Sequence, residues 1–297
     1  MKLLLTGAFS YTDEQIEYLK SLGHEIIFVQ DERKSIELDV SDIEGVICNG
    51  LFLYTPIEKF TSLKYIQLTS AGFDRVPMDY ITEHGIEIHN AKGVYSIPMA
   101  EFAVCGVLEL YKQSKFFIAN QNAHMWEKHR GLLELSGKRV CIVGAGNIGS
   151  EVAKRFKAFD TTVIGIDLYP NDNEYFDKVL PLSQLDSELA LADIVILTLP
   201  LTKDNAGFFN KEKFDLMKNT SIFVNIARGK LVNEQDLINA LESNRISGAV
   251  LDVFEEEPLN QPSNLWDMDN VILTPHNSFI GEKNQARLIN TITNNLL

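Results

Sequence analysis

Arg139-Val140-Cys141-Ile142-Val143-Gly144-Ala145-Gly146-Asn147-Ile148-Gly149 is the stretch on which the reading of this 297-residue chain turns. A short apolar run breaks into glycines, and apolar residues return at helical spacing as Val152, Ala153, Phe156 and Phe159. The order is strand, tight turn, helix. Gly144 permits the turn, Gly146 lets backbone approach a pyrophosphate, and Gly149 lets helix and strand pack closely. The first N–H groups of the helix, around Asn147 and Ile148, add donors and a positive dipole. Thr162 to Ile166 reads as the next strand and ends in Asp167, eighteen residues beyond Gly149. A carboxylate there accepts hydrogen bonds from the adenosine ribose and repels a 2′-phosphate, so the motif predicts NAD in preference to NADP. Leu168-Tyr169-Pro170 leaves tolerance of NADP open.

A chain of this length accommodates about two domains, each able to bury a core. With 45% hydrophobic and 23% charged residues, the composition is that of a soluble globular protein. The net charge of −14, from 41 acidic and 27 basic residues, argues against nucleic acid or an anionic membrane as partner. Cys48, Cys105 and Cys141 lie far apart in apolar settings, with neither metal nor redox spacing, which suits a reducing cytoplasm. Lys2 to Leu5 is too short for a signal h-region or a membrane span, so no targeting segment is expected.

Outward from the glycine turn, both flanks alternate apolar runs with amphipathic segments, the pattern of parallel sheets covered by helices. Strands are expected at Lys2–Leu5, Glu25–Val29, Val46–Cys48, Tyr65–Leu68 and Ile86–His89. Thr12 and Gln15 form a capping box for a helix that stops near Gly23. Ligands of such sheets sit beyond the carboxyl ends of the strands. That makes Asn49-Gly50 and Ala71-Gly72 candidates to hold a substrate carboxylate through backbone N–H groups, although ordinary turns look the same. One long helix is expected from Ile97 to about Asn120. Its apolar residues cover more than one face, so it is buried between domains or packs on a second subunit, and a homodimer is predicted. Six strands then complete a doubly wound sheet: Arg139–Val143, Thr162–Ile166, Ile194–Leu199, Ser221–Asn225, Ser247–Leu251 and Val271–Leu273. Asn233 caps the helix Glu234–Ser243.

The ends of the last three strands carry Arg228, then Asp252 followed by Glu257, then His276. An arginine, a carboxylate and a histidine on consecutive strand ends suit hydride transfer to a 2-keto acid. His276 paired with Glu257 would be the general acid, and Arg228 would orient the substrate carboxylate and carbonyl. Leu199, Pro200 and Ala227 border the cofactor, and Asp252 is placed to accept from the nicotinamide carboxamide. No metal is needed.

Gly144 to Gly149, Leu199-Pro200-Leu201-Thr202, Asn225-Ile226-Ala227-Arg228-Gly229, Asp252 to Leu259 and Thr274-Pro275-His276 together resemble the D-isomer-specific 2-hydroxyacid dehydrogenases, over essentially the whole chain. The resemblance implies two doubly wound domains, a Rossmann cofactor domain over 97–279 and a flavodoxin-like substrate domain over 1–96 and 280–297, with the active site in the cleft between them. It implies Arg228, Glu257 and His276 as the catalytic set and Ala71-Gly72 as the carboxylate site. Asn90-Ala91-Lys92-Gly93 with Pro98-Met99-Ala100-Glu101 is similar to the family's hinge. Departures bear on substrate: Asn277-Ser278-Phe279 follows His276 where relatives carry small residues, and Phe279 either narrows the pocket or packs the domain interface. Asn205-Ala206 stands in place of a Glu-Thr pair, and no C-terminal regulatory domain follows. Arg75 and Lys92 either accept a phosphate or a second carboxylate, or are surface charges. Two other functions stay open: a non-enzymatic, NAD(H)-responsive scaffold like the corepressors of similar fold, and a dehydrogenase of formate or phosphite.

Overall fold

The computed structural model describes residues 1–297, which divide into two compact units, Met1–Tyr95 with Gly281–Leu297, and Ser96–Ile280. The first unit holds β1 (Lys2–Thr6), β2 (Glu25–Val29), β3 (Gly45–Cys48), β4 (Tyr65–Leu68) and β5 (Glu87–His89), all parallel, in the order β2-β1-β3-β4-β5. That order is flavodoxin-like. β3 and β4 are buried at every position, as strands covered on both faces must be. Helix α1 (Asp13–Ser21) starts at the expected capping box: the Gln15 amide donates to Thr12 Oγ1 and the Thr12 amide to Gln15 Oε1. It ends before Gly23, whose φ of +89° continues no helix. Helix α2 (Met78–Glu83) precedes β5. The last helix, Asn284–Leu296, buries Leu288 and Ile292 against Leu3, Leu5, Leu19 and Ile47. Arg287 Nε fastens it by donating to the Val94 carbonyl at 2.7 Å.

The second unit opens with α3 (Ser96–Tyr111) and α4 (Ser114–Asn122). The single long helix expected from Ile97 to Asn120 is therefore two. Gln113 adopts a left-handed backbone, φ +56°, and its side chain turns back to donate to the Leu110 carbonyl, closing α3. Lys112-Gln113-Ser114 has no apolar residue to hold a continuous helix to the sheet beneath. Gly106 sets the closeness of that packing, because a Cβ on it would lie 2.4 Å from Val250 Cγ1.

Seven parallel strands follow: β6 (Arg139–Val143), β7 (Thr162–Asp167), β8 (Lys178–Pro181), β9 (Ile194–Leu197), β10 (Ile222–Asn225), β11 (Gly248–Leu251) and β12 (Val271–Leu273). Their order is β12-β11-β10-β9-β6-β7-β8. Six strands were expected. The seventh, β8, is an edge strand with two apolar residues and a terminal proline, too short to show a period, and only its pairing along β7 makes it a strand. Four further helices cover the sheet: α5 (Asn147–Lys157), α6 (Leu185–Leu189), α7 (Lys211–Leu216) and α8 (Glu234–Glu242). Strand order reverses between β6 and β9, and a crevice for ligand opens at such a reversal.

Candidate functional site

At the reversal, Gly144 turns the chain with φ +106°, and a Cβ on it would lie 2.8 Å from the Leu199 nitrogen. Thr198 joins the two edges, its Oγ1 donating to the Gly144 carbonyl at 2.6 Å. Gly149 has no room for a side chain either, since its Cβ would sit 2.0 Å from the Gly144 oxygen. Gly146 differs. It is exposed, and a Cβ there meets no protein atom within 4 Å, so the space above it is open to a ligand. Gly146 is also the N-cap of α5 and supplies no side-chain cap, which leaves the first N–H groups of the helix able to bind an anion. Asp167 ends β7 beside this turn and accepts from the amides of Ala145 at 2.8 Å and Tyr169 at 3.0 Å. Each of its oxygens keeps a lone pair for a ribose hydroxyl. Leu199 and Pro200 border the other side of the crevice. Open space over a glycine, uncapped helix amides and a strand-end carboxylate together fit a dinucleotide.

Along the same sheet edge, Asn225 folds the turn that presents the arginine. Its Oδ1 accepts from the Ala227 amide and its Nδ2 donates to the Arg228 carbonyl, both at 3.1 Å. Arg228 Nη1 donates to the Ala227 carbonyl at 2.8 Å. A Cβ on Gly229 would fall 1.9 Å from the Phe254 carbonyl, so the backbone beside Arg228 lies directly on the segment that leads to Glu257. Glu257 Oε1 accepts from the Phe254 amide at 3.1 Å, and its Oε2 lies 2.8 Å from His276 Nδ1. A carboxylate only accepts, so Nδ1 carries a proton and Nε2 is the ring atom left to exchange one with a ligand. His276 holds a left-handed backbone, φ +51°, which costs a non-glycine residue about 1 to 2 kcal/mol and requires its surroundings to impose it. Phe279 stands edge-on to the imidazole, ring centres 5.9 Å apart.

Asp252 imposes that backbone, and here the expectation needs correction. Its carboxylate does not face out toward a carboxamide: the residue has no exposed surface. Oδ1 accepts from Thr274 Oγ1 and the Asn277 amide, each at 2.7 Å, and Oδ2 from the Ser278 amide at 3.0 Å. The His276 amide donates to the Asp252 carbonyl at 2.8 Å. A buried carboxylate must find donors, and the loop around His276 provides them. Glu234 is a further residue that sequence reasoning missed. It accepts from the Glu255 amide at 3.0 Å, steadying the segment before Glu257, and burial pushes its carboxyl above the ordinary 4.5.

In the first unit the two candidate cradles differ. The amides of Asn49 and Gly50 are already filled by Glu32, a buried residue after β2: Asn49 N donates to its Oε2 at 3.1 Å and Gly50 N to its Oε1 at 2.6 Å. Thr6 Oγ1 adds a third donor at 2.6 Å. These two amides hold the chain's own carboxylate instead of standing open to a substrate's. At Ala71-Gly72 it is the carbonyls that are held, by Asn90 Nδ2 at 2.6 Å and Ser70 Oγ at 3.1 Å, while the two amides have no partner within the unit. Arg75 and Lys92 are exposed.

Comparison with known proteins gives this geometry its context. The family model described as D-isomer specific 2-hydroxyacid dehydrogenase, NAD binding domain, matches residues 104–278. The chain belongs to the D-isomer-specific 2-hydroxyacid dehydrogenases. Within this family it is 36% identical over 289 residues to a D-3-phosphoglycerate dehydrogenase of Methanocaldococcus jannaschii, covering 96% of this chain and 55% of that one. It is 34% identical to a glyoxylate reductase of Thermofilum pendens, over 80% of this chain and 71% of the relative. The chain spans about half the length of the phosphoglycerate dehydrogenases it matches, 53% and 55% of the two archaeal ones. Among solved structures, a glyoxylate reductase from Paecilomyes thermophila superposes with TM-score 0.87 at 26% identity, covering 99% of this chain and 94% of the other. A D-lactate dehydrogenase from Aquifex aeolicus, complexed with NAD and lactic acid, superposes with TM-score 0.82 at 26% identity, over 99% and 94%. The NAD-binding region of the family is thus the unit that carries the glycine turn, Arg228, Glu257 and His276.

Proposed function

We propose that this chain interconverts a small D-2-hydroxy acid and its 2-keto acid, with NAD as the hydride carrier. The observation that carries the reading is the 2.8 Å contact between His276 Nδ1 and Glu257 Oε2, beside Arg228 and at the same sheet edge as an open dinucleotide turn. Gly144, Gly146, Asn147, Ile148 and Gly149 cradle the pyrophosphate, Asp167 takes the adenosine ribose, and Leu199, Pro200 and Ala227 border the cofactor. NAD, when bound, accepts or supplies the hydride. His276 Nε2 gives a proton to the carbonyl oxygen during reduction and removes one from the hydroxyl during oxidation, while Glu257 holds the ring and balances its charge. Arg228 orients the carboxylate and polarises the carbonyl. The open amides of Ala71 and Gly72 hold the substrate carboxylate.

Two copies are proposed to pair through the second unit. Ile118 of α4 and Met125, Leu132 and Leu133 beyond it are exposed, and Trp126 is 97% accessible, more apolar surface than one arm leaves to water without a partner. Three free cysteines suit a reducing cytoplasm, and no helix is long and apolar enough to cross a membrane.

Initial-rate oxidation of NADH, with NADPH in parallel, against glyoxylate, hydroxypyruvate, pyruvate and phenylpyruvate tests the reading. Turnover with NADH is expected, and His276→Ala or Arg228→Ala should lose about 100-fold or more in kcat while still binding NADH. Tight NADH binding with no turnover would favour the scaffold, and oxidation of formate or phosphite the third function.

A further inference from the structure

We propose that Glu32 is a specificity determinant: its fixed negative charge excludes a second anionic group on the substrate, so the chain acts on 2-keto acids with uncharged tails and discriminates against phosphorylated ones. This rests on the keto-acid reading above and runs against transferring the activity named for its phosphoglycerate dehydrogenase relatives.

Backbone amides beyond the carboxyl ends of parallel strands are where an α/β sheet binds anions. Here one of the two such sites is filled from within. Glu32 places both carboxylate oxygens on the Asn49 and Gly50 amides and takes a third hydrogen bond from Thr6 Oγ1. All three donors are neutral. They satisfy the lone pairs of a buried carboxylate without bringing an opposite charge, and they fix its position.

The occupied site adjoins the open one. β3 and β4 are neighbours, with Cys48 opposite Leu68, and adjacent strands run about 4.8 Å apart. The loops they lead into, Asn49-Gly50 and Ser70-Ala71-Gly72, therefore share one stretch of sheet edge. A keto acid held by its carboxylate at Ala71-Gly72, with its tail running along this edge toward Asn49-Gly50, brings that tail toward Glu32. Arg75 does not reverse the effect: the Cβ position of Gly50 is 3.7 Å from Glu32 Oε1 and 3.8 Å from Arg75 Cδ, so a phosphate drawn to Arg75 meets Glu32 beside it. A like charge about 8 Å away at an effective dielectric of about 20 lowers affinity on the order of tenfold or more, and a dianion suffers more than a monoanion.

The test compares hydroxypyruvate with phosphohydroxypyruvate, which differ only in the phosphate, by kcat/KM at saturating NADH. A preference of about tenfold or more for hydroxypyruvate is expected, and indifference or the opposite preference overturns the proposal, with no variant needed. Glu32→Gln should shrink the preference about tenfold, and Arg75→Ala in that background should restore it. Thr6→Val removes a donor and leaves the charge, so it should keep the preference. A loss of preference in Thr6→Val equal to that in Glu32→Gln would mean Glu32 acts only by holding the loop. If no keto acid is turned over, the catalytic reading fails by itself. Competition between glycolate and phosphoglycolate for the NADH complex then still decides Glu32, and equal affinities overturn it.

Discussion

Replacing Gly146 by alanine should separate cofactor binding from folding in this chain. The backbone there has φ −74° and ψ −158°, which alanine adopts without strain, and its Cβ would meet no protein atom within 4 Å. A compatible Gly→Ala change stabilises by about 0.4 to 1 kcal/mol through the unfolded state, and the loss of glycine as an N-cap costs about 0.5 kcal/mol. These offset, so the melting temperature should stay within about 3 °C of wild type. The methyl group instead occupies the path by which a pyrophosphate reaches the first amides of α5. Losing one charge-assisted hydrogen bond costs about 1.5 to 3 kcal/mol, or roughly 10- to 100-fold in the NADH dissociation constant. Gly149→Ala is the counterpart. Its Cβ at 2.0 Å from the Gly144 oxygen needs about 1.4 Å more to reach ordinary contact at 3.4 Å, so helix and strand must part. That overpacking costs about 1 to 3 kcal/mol, and binding falls with it. NADH fluorescence titration beside thermal unfolding reads both quantities. If Gly146→Ala unfolds as early as Gly149→Ala, or binds NADH like wild type, the space over Gly146 is not the pyrophosphate's and the reasoning is wrong.

Asp252→Asn turns one acceptor of the loop around His276 into an NH2 group facing the Asn277 or Ser278 amide, at a cost of about 1 to 3 kcal/mol. The expected result is a drop in kcat of about tenfold or more with unchanged NADH affinity, whereas weaker NADH binding would restore Asp252 as a cofactor contact. Glu234→Gln keeps the acceptor for the Glu255 amide and removes a carboxylate whose pKa is raised by burial and then by Glu255 and Glu256. A group that prefers its proton in the folded state favours folding below its unfolded pKa, and that contribution is lost as pH rises through the folded value. The variant should therefore melt slightly higher than wild type at pH 7 and no differently at pH 4; a lower melting point at pH 7 would sink this account.

The glycine turn, the strand that precedes it, Asp167 and the Thr12 capping box were legible in sequence because each is a local device. Spacing along the chain sets the period of a helix, the sterics of one turn and the reach of one cap, and no distant residue is needed to recognise them. The order Arg228, Glu257, His276 was legible for a related reason: parallel strands deliver their carboxyl ends to one edge in whatever order the chain supplies them. β8 and the break at Gln113 were not legible, since two apolar residues show no period and a polar three-residue stretch fits a surface helix as well as a bend. Nor was the fate of two carboxylates. Glu32 and Asp252 read alike in sequence, one acid beyond a strand, yet Glu32 fills a cradle expected to bind substrate and Asp252 turns inward to hold the histidine loop. Composition and spacing determined the fold class, the cofactor turn and the order in which Arg228, Glu257 and His276 reach one sheet edge. Only the tertiary structure decided which backbone amides remain open, because a buried carboxylate takes whichever donors lie within hydrogen-bond reach, and that reach joins residues far apart along the chain.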